Sequence, residues 1–263
     1  MLHSLRLRVA LLVVVSMALL GTFWVVCGPL PQPAAYHNFA DQRPMLSLPH
    51  ALNVLSNLPF VVFGVIGIAF LLKTCAGDGQ AIINSSERMA YWVFFVGLVL
   101  TGIGSSYYHA NPTNDTLSWD RAGLAITFMA LFTTILAERV HVGCARWLLW
   151  PLVLFGIVSV FYWDYTEGLG SGDLRLYFIA QFYPLAILPV LLCFYPPRYT
   201  HAGGLLASLL CYGLAKGLEI LDRQVYGGVG FVSGHTLKHL VASLSAGFIL
   251  LMLWQRRLRV TTR

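Results

Sequence analysis

The sequence predicts an all-α polytopic membrane protein, a transmembrane helical bundle of eight spans. Three observations carry this reading. Hydrophobic residues make up 57% of the 263 positions and charged residues only 11%, whereas a soluble domain averages about 25% charged. Mean hydropathy is +0.71. The apolar residues also fall into eight segments, each near the roughly 20 residues that cross a bilayer core. Barrel strands would be shorter and would alternate in polarity, so the spans are helices.

The spans run approximately over 8–27, 54–72, 89–108, 119–136, 145–163, 174–195, 205–221 and 235–254. The first follows Arg6 and Arg8 in the manner of a secretory signal. Its apolar run is long for one, however, and no small-x-small cleavage site follows clearly before Cys27, so it reads as an uncleaved anchor. The chain divides into a signal-anchor helix (1–30), one membrane domain (31–255) and a basic cytoplasmic tail (256–263).

The net charge of +6 sets orientation and does not indicate a nucleic-acid partner. With a cytoplasmic N-terminus, eleven Lys and Arg fall at cytoplasmic ends: Arg6, Arg8, Lys73, Arg88, Arg139, Arg146, Arg198, Arg256, Arg257, Arg259 and Arg263. Only four, Arg43, Arg121, Arg175 and Arg223, fall at the opposite ends. That bias places both termini in the cytoplasm. Five cysteines, Cys27, Cys75, Cys144, Cys193 and Cys211, have no paired spacing and read as small apolar fillers.

Several polar residues have a bland reading beside a functional one. His37, Asp41 and His50, in the Pro-rich stretch 28–53, read as surface residues of an ordered cap or a loop. Asn53, Ser56 and Asn57 open the second span and either glue helices or line a polar cavity. Trp163, Asp164, Tyr165 and Glu167 fit an interfacial belt, and Gln181 suits either a cavity or a bond between helices. Lys216 and Glu219, three apart in the seventh span, read as an internal ion pair.

The last span opens Ser233-Gly234-His235-Thr236-Leu237-Lys238-His239. On a helix, His235 and His239 lie one turn apart on one face, the spacing two imidazoles need to hold one metal ion. Odd spans run outward, so His109 at the end of the third and Asp120 at the start of the fourth share the outer half of the membrane with them. His141 and His201 fall on the other side. Three imidazoles leave the fourth tetrahedral position open, the pattern of catalytic zinc. Asp120 then suits a base, and Ser105, four residues before His109, a hydrogen-bond donor to an oxyanion. Thr236 and Leu237 read as spacers, and Lys238 as a side chain snorkelling to the headgroups.

Ser105-x-x-x-His109, Asp120 eleven residues later and His235-x-x-x-His239 together resemble the three motifs of the alkaline ceramidase family, within the CREST superfamily of membrane hydrolases. Asn53-x-x-Ser56-Asn57-x-x-Phe60 is similar to that family's first core helix. The resemblance covers about 35–254 and is nearest to bacterial members. It implies a seven-helix core plus an extra N-terminal helix, zinc on His109, His235 and His239, and Asp120 and Ser105 beside it. Where eukaryotic ceramidases carry an acidic calcium cluster and a glutamate, this chain has Asp41 and His50, so calcium does not carry over.

The expected activity is zinc-dependent hydrolysis of the amide bond of a ceramide-like N-acyl membrane lipid, in a bacterial inner membrane. Two alternatives stand beside it. One is an ester-cleaving lipid hydrolase, which the same zinc-water chemistry serves. The other is a non-catalytic lipid receptor or transporter with structural zinc, although the halves show no matching broken helices of the transporter type.

Overall fold

The computed structural model describes residues 5–74, 81–82 and 84–259; Cys75 and Arg263 lie outside them. Among the described residues the chain is all helical, with two isolated β-bridges and no strands. Eight helical segments are long and apolar enough to cross a membrane. They are α1 (Leu5–Val26), α2 with α3 (Ala51–Leu55 and Leu58–Lys73), α4 (Ser85–Ala110), α5 (Asn114–Arg139), α6 (Gly143–Gly168), α7 (Arg175–Phe194), α8 (Gly203–Ile220) and α10 (Gly234–Gln255). The short α9 (Asp222–Val229) links the last two. The protein is a multi-pass membrane protein.

Helix ends follow local chemistry more than hydropathy. α5 begins five residues before its apolar run because Thr113 and Thr116 form a capping box. The Asn84 side chain caps α4 by accepting from the Glu87 amide at 2.8 Å. The second span is broken, not continuous. Pro59 has no amide hydrogen with which to reach the Leu55 carbonyl, and at the break Ser56 Oγ (3.1 Å) and Asn57 Nδ2 (2.8 Å) both donate to the Asn53 carbonyl.

Small residues let α4 and α5 approach backbone to backbone. A Cβ at Gly104 would lie 2.5 Å from the Trp119 carbonyl oxygen, and one at Gly123 would lie 2.6 Å from the Thr101 nitrogen. This closeness seats the start of α5 beside the end of α4. α8 and α10 pair similarly, with a Ser208–Ser245 hydroxyl bond of 2.6 Å. α1 stands apart: it buries no residue and is tied to α7 by a Ser16–Tyr183 bond of 2.6 Å.

At the bundle end away from the histidines, Arg256 is folded inside and is not part of a solvated tail. Its guanidinium is fully buried, pairs with Glu87 at 3.1 Å and with Glu138, and lies 4.1 Å from the Tyr199 ring. A Tyr199↔Leu258 bridge draws the following residues back onto the α7–α8 connection. Trp163 is likewise a core residue, fully buried, while Tyr165 is exposed.

Candidate metal centre

Residues 28–50 form an ordered cap over the histidine end of the bundle. His37 bonds the Tyr108 hydroxyl and Asn114 Oδ1, each at 2.9 Å, and Asp41 is buried and accepts from Arg43 at 2.7 Å. Asp41 is therefore a buried part of the cap and not a surface residue, while His37 and His50 stay partly exposed. Bonded to Asp41, the Arg43 guanidinium holds that carboxyl below its ordinary range. The cap lowers Phe39 onto the centre, its ring 4.7 Å from that of His109 and 4.5 Å from that of His235.

Beneath Phe39, His109 from the last turn of α4 meets His235 and His239 from the first turns of α10. The three ring centroids form a nearly equilateral triangle, with sides of 4.8, 4.9 and 4.8 Å. All three side chains are buried, and their nearest ligand atoms lie within 4.8 Å of one another. His109 and His235 point Nε2 at Nε2 across 3.2 Å. Two nitrogens on one tetrahedral ion with bonds of about 2.05 Å stand about 3.3 Å apart, so this separation fits one shared ion.

The third nitrogen follows from the surroundings of His239. Ser56 Oγ gives its one proton to the Asn53 carbonyl at 3.1 Å. Toward His239 it therefore accepts, taking the Nδ1 hydrogen at 2.8 Å. That assignment leaves the lone pair on Nε2, which is buried without a hydrogen-bond partner among the described residues. An orphaned buried acceptor beside two facing Nε2 atoms is what a metal ion would satisfy.

Neighbours fix α10 in place. Asp222 takes the His235 amide on Oδ1 at 2.7 Å and the Ala40 amide on Oδ2 at 2.9 Å, joining the last span to the cap. Gly234 lets the helix start against the Leu218 carbonyl and the Asp222 backbone. Thr236 is more than a spacer, since its hydroxyl donates to Asn53 Oδ1 at 2.7 Å. Lys238 does not snorkel; it turns inward and shares Glu219 with Lys216, each at 2.7 Å.

His239 also lines a cavity of about 860 Å³, together with Ser105, Asp120, Arg121, Lys216, Glu219 and Lys238. The Gly104 contact brings Asp120 against Ser105. A second chamber of about 830 Å³, walled by such residues as Phe94, Leu98, Leu131 and Ile135, shares Phe60, Thr101, Leu124, Tyr212 and Ala242 with the first. Phe178 and Phe182 separate the polar cavity from a groove of about 770 Å³ between α1 and α7. Gln181 fills both of its expected roles, lining the cavity and donating to the Tyr212 hydroxyl at 3.0 Å.

All five site residues expected from sequence thus gather at one end of the bundle: three as a histidine cluster, two in the adjoining cavity. The sequence reading missed Phe39 and Asp222, which carry no metal-ligand spacing, and left open the place of Ser56. Together, fold and site define a multi-pass helical membrane protein with a buried three-histidine centre able to hold a metal ion. No protein-family model, curated protein or solved structure matches the chain.

Proposed function

We propose that this protein is a zinc-dependent intramembrane hydrolase that cleaves the amide bond of a ceramide-like N-acyl lipid, as a member of the alkaline ceramidase family. The observation that carries the reading is the histidine triangle, with one free Nε2, beside a polar cavity with a carboxylate and a hydroxyl that shares walls with an apolar chamber. The donor set favours zinc, which three neutral imidazoles suit and which, when bound, polarises a carbonyl and acidifies water.

The chain's own residues then divide the work. The apolar chamber holds an acyl chain and the polar cavity its amide. Asp120 accepts a proton from the attacking water as the new C–O bond forms, and delivers it to the nitrogen as the C–N bond breaks. Ser105 donates a hydrogen bond to the oxygen that gains charge. Phe39 and the cap exclude bulk water from the imidazoles. The groove between α1 and α7 gives the lipid a lateral approach past Phe178 and Phe182. The charge bias of the loops supports a site in the outer half of the membrane with both termini cytoplasmic.

Incubating purified, zinc-loaded protein with a mixed lipid extract tests the reading. Released fatty acid and the matching amine are expected by mass spectrometry, and both should be absent with Asp120→Ala. Hydrolysis undiminished in Asp120→Ala would remove the base. Loss of acyl esters in place of amides would move the activity to the ester-cleaving alternative.

A further inference from the structure

The polar cavity contains a cation that the hydrolytic steps do not use. Arg121 is 6% exposed, and no carboxylate of the described residues lies within ion-pair distance of it, whereas Lys216 and Lys238 are both paired with Glu219. Its Nη2 donates to Gln32 Oε1 of the cap at 2.5 Å. Its Nη1 is buried with no acceptor among the described residues.

Three rings surround the guanidinium, Trp163 at 4.1 Å, Tyr177 at 5.0 Å and Tyr36 at 5.6 Å from its carbon. Cation–π contacts offset part of the cost of burying the charge. They do nothing for an unbonded N–H at the edge of the plane, which is costly to leave unmade in a low-dielectric site. Asp120 does not fill the gap: adjacent residues on a helix point different ways, and the two form no ion pair. Counted over the whole cavity, three cationic side chains face two carboxylates.

We propose that Arg121 is an anion-recognition residue and that the lipid taken into this cavity carries an anionic oxygen group, a phosphate or a carboxylate, in its headgroup. A guanidinium presents a flat fork of N–H donors that such groups accept in pairs. The anion belongs to an amphiphile because the cavity that holds Arg121 adjoins the apolar chamber, the two sharing Phe60, Thr101, Leu124, Tyr212 and Ala242 as walls. Its other end, at Tyr36, is built by the cap, where a headgroup would sit. That the lipid is also the substrate rests on the hydrolase reading; the binding does not.

The test compares three probes on the full-length protein in neutral detergent: dioctanoyl phosphatidate, dioctanoylglycerol with the same tails and no charge, and inorganic phosphate. Thermal stabilisation is followed against concentration for wild type, Arg121→Gln and Arg121→Lys. Phosphatidate is expected to half-saturate at a concentration at least about tenfold below dioctanoylglycerol and phosphate. Arg121→Gln should erase that preference, and Arg121→Lys should keep part of it. Equal half-saturation by the two lipids in wild type, or an undiminished preference in either variant, would overturn the proposal. Inorganic phosphate as potent as phosphatidate would overturn the headgroup assignment and leave a free anion in its place. Failure of the hydrolase reading looks different: selective, Arg121-dependent binding with no fatty acid released from any lipid.

Discussion

A single hydroxyl decides which nitrogen of His239 is free. By accepting the Nδ1 hydrogen, Ser56 sets the tautomer and aims the Nε2 lone pair at the centre. Ser56→Ala should therefore weaken metal affinity by about 10- to 100-fold while leaving the fold intact, read by competition against a chelator of known affinity. In the proposed reaction Asp120 is the base, and it stands outside the histidine cluster. Asp120→Asn should keep full metal content and lose about 10²- to 10⁴-fold in turnover of an N-acyl lipid. Asp41 reports on the cap. Because Arg43 lowers its pKa, the pair adds stability above the ordinary carboxylate range, and that stability is lost as pH falls through the lowered value. Cap protection against proteolysis should decline with acid in wild type and should be weaker and less pH-dependent in Asp41→Asn.

At the scale of elements, the centre depends on how α4, α5 and α10 are seated. Gly104 is the contact that places the start of α5 against the end of α4, so a Cβ there must push the Trp119 carbonyl away. Gly104→Val should lower the thermal midpoint and also reduce hydrolysis, because Ser105, His109 and Asp120 flank the same contact. The spans themselves were legible in the sequence, since each is an apolar run of membrane length. The break at Ser56 and Asn57 was less so. Asn53, Ser56 and Asn57 suit helix gluing as well as a cavity, and only the packing of α10 shows that Ser56 meets a histidine. The early start of α5 lies in the Thr113 and Thr116 capping chemistry, which hydropathy does not register.

At the scale of the whole molecule, the two ends of the bundle bury charge for different ends. Away from the centre, Arg256 sits between Glu87 and Glu138, joining α10 to α4 and α5 with its charge matched. Removing it takes a buried cation from between two carboxylates, so Arg256→Ala should cost about 3–5 kcal/mol of stability with the metal site chemically unchanged. The loop-charge reading treated Arg256 as a tail residue because sequence position near a terminus says nothing about burial. The same reading nonetheless brought His109, Asp120, His235 and His239 to one depth, and the structure gathers them at one end. Phe39 and Asp222 were invisible to it, since a cap phenylalanine and a loop aspartate gain their roles only from long-range packing.

The central claim is that three imidazoles from two spans form one zinc site. Elemental analysis of purified protein by inductively coupled plasma mass spectrometry tests it directly, with wild type compared against His109→Ala, His235→Ala, His239→Ala and Asp120→Asn. About one zinc per chain is predicted for wild type and Asp120→Asn, with at least a tenfold loss in each histidine variant that still elutes as folded protein. Equal zinc in all five proteins, or none in wild type after loading, would contradict it.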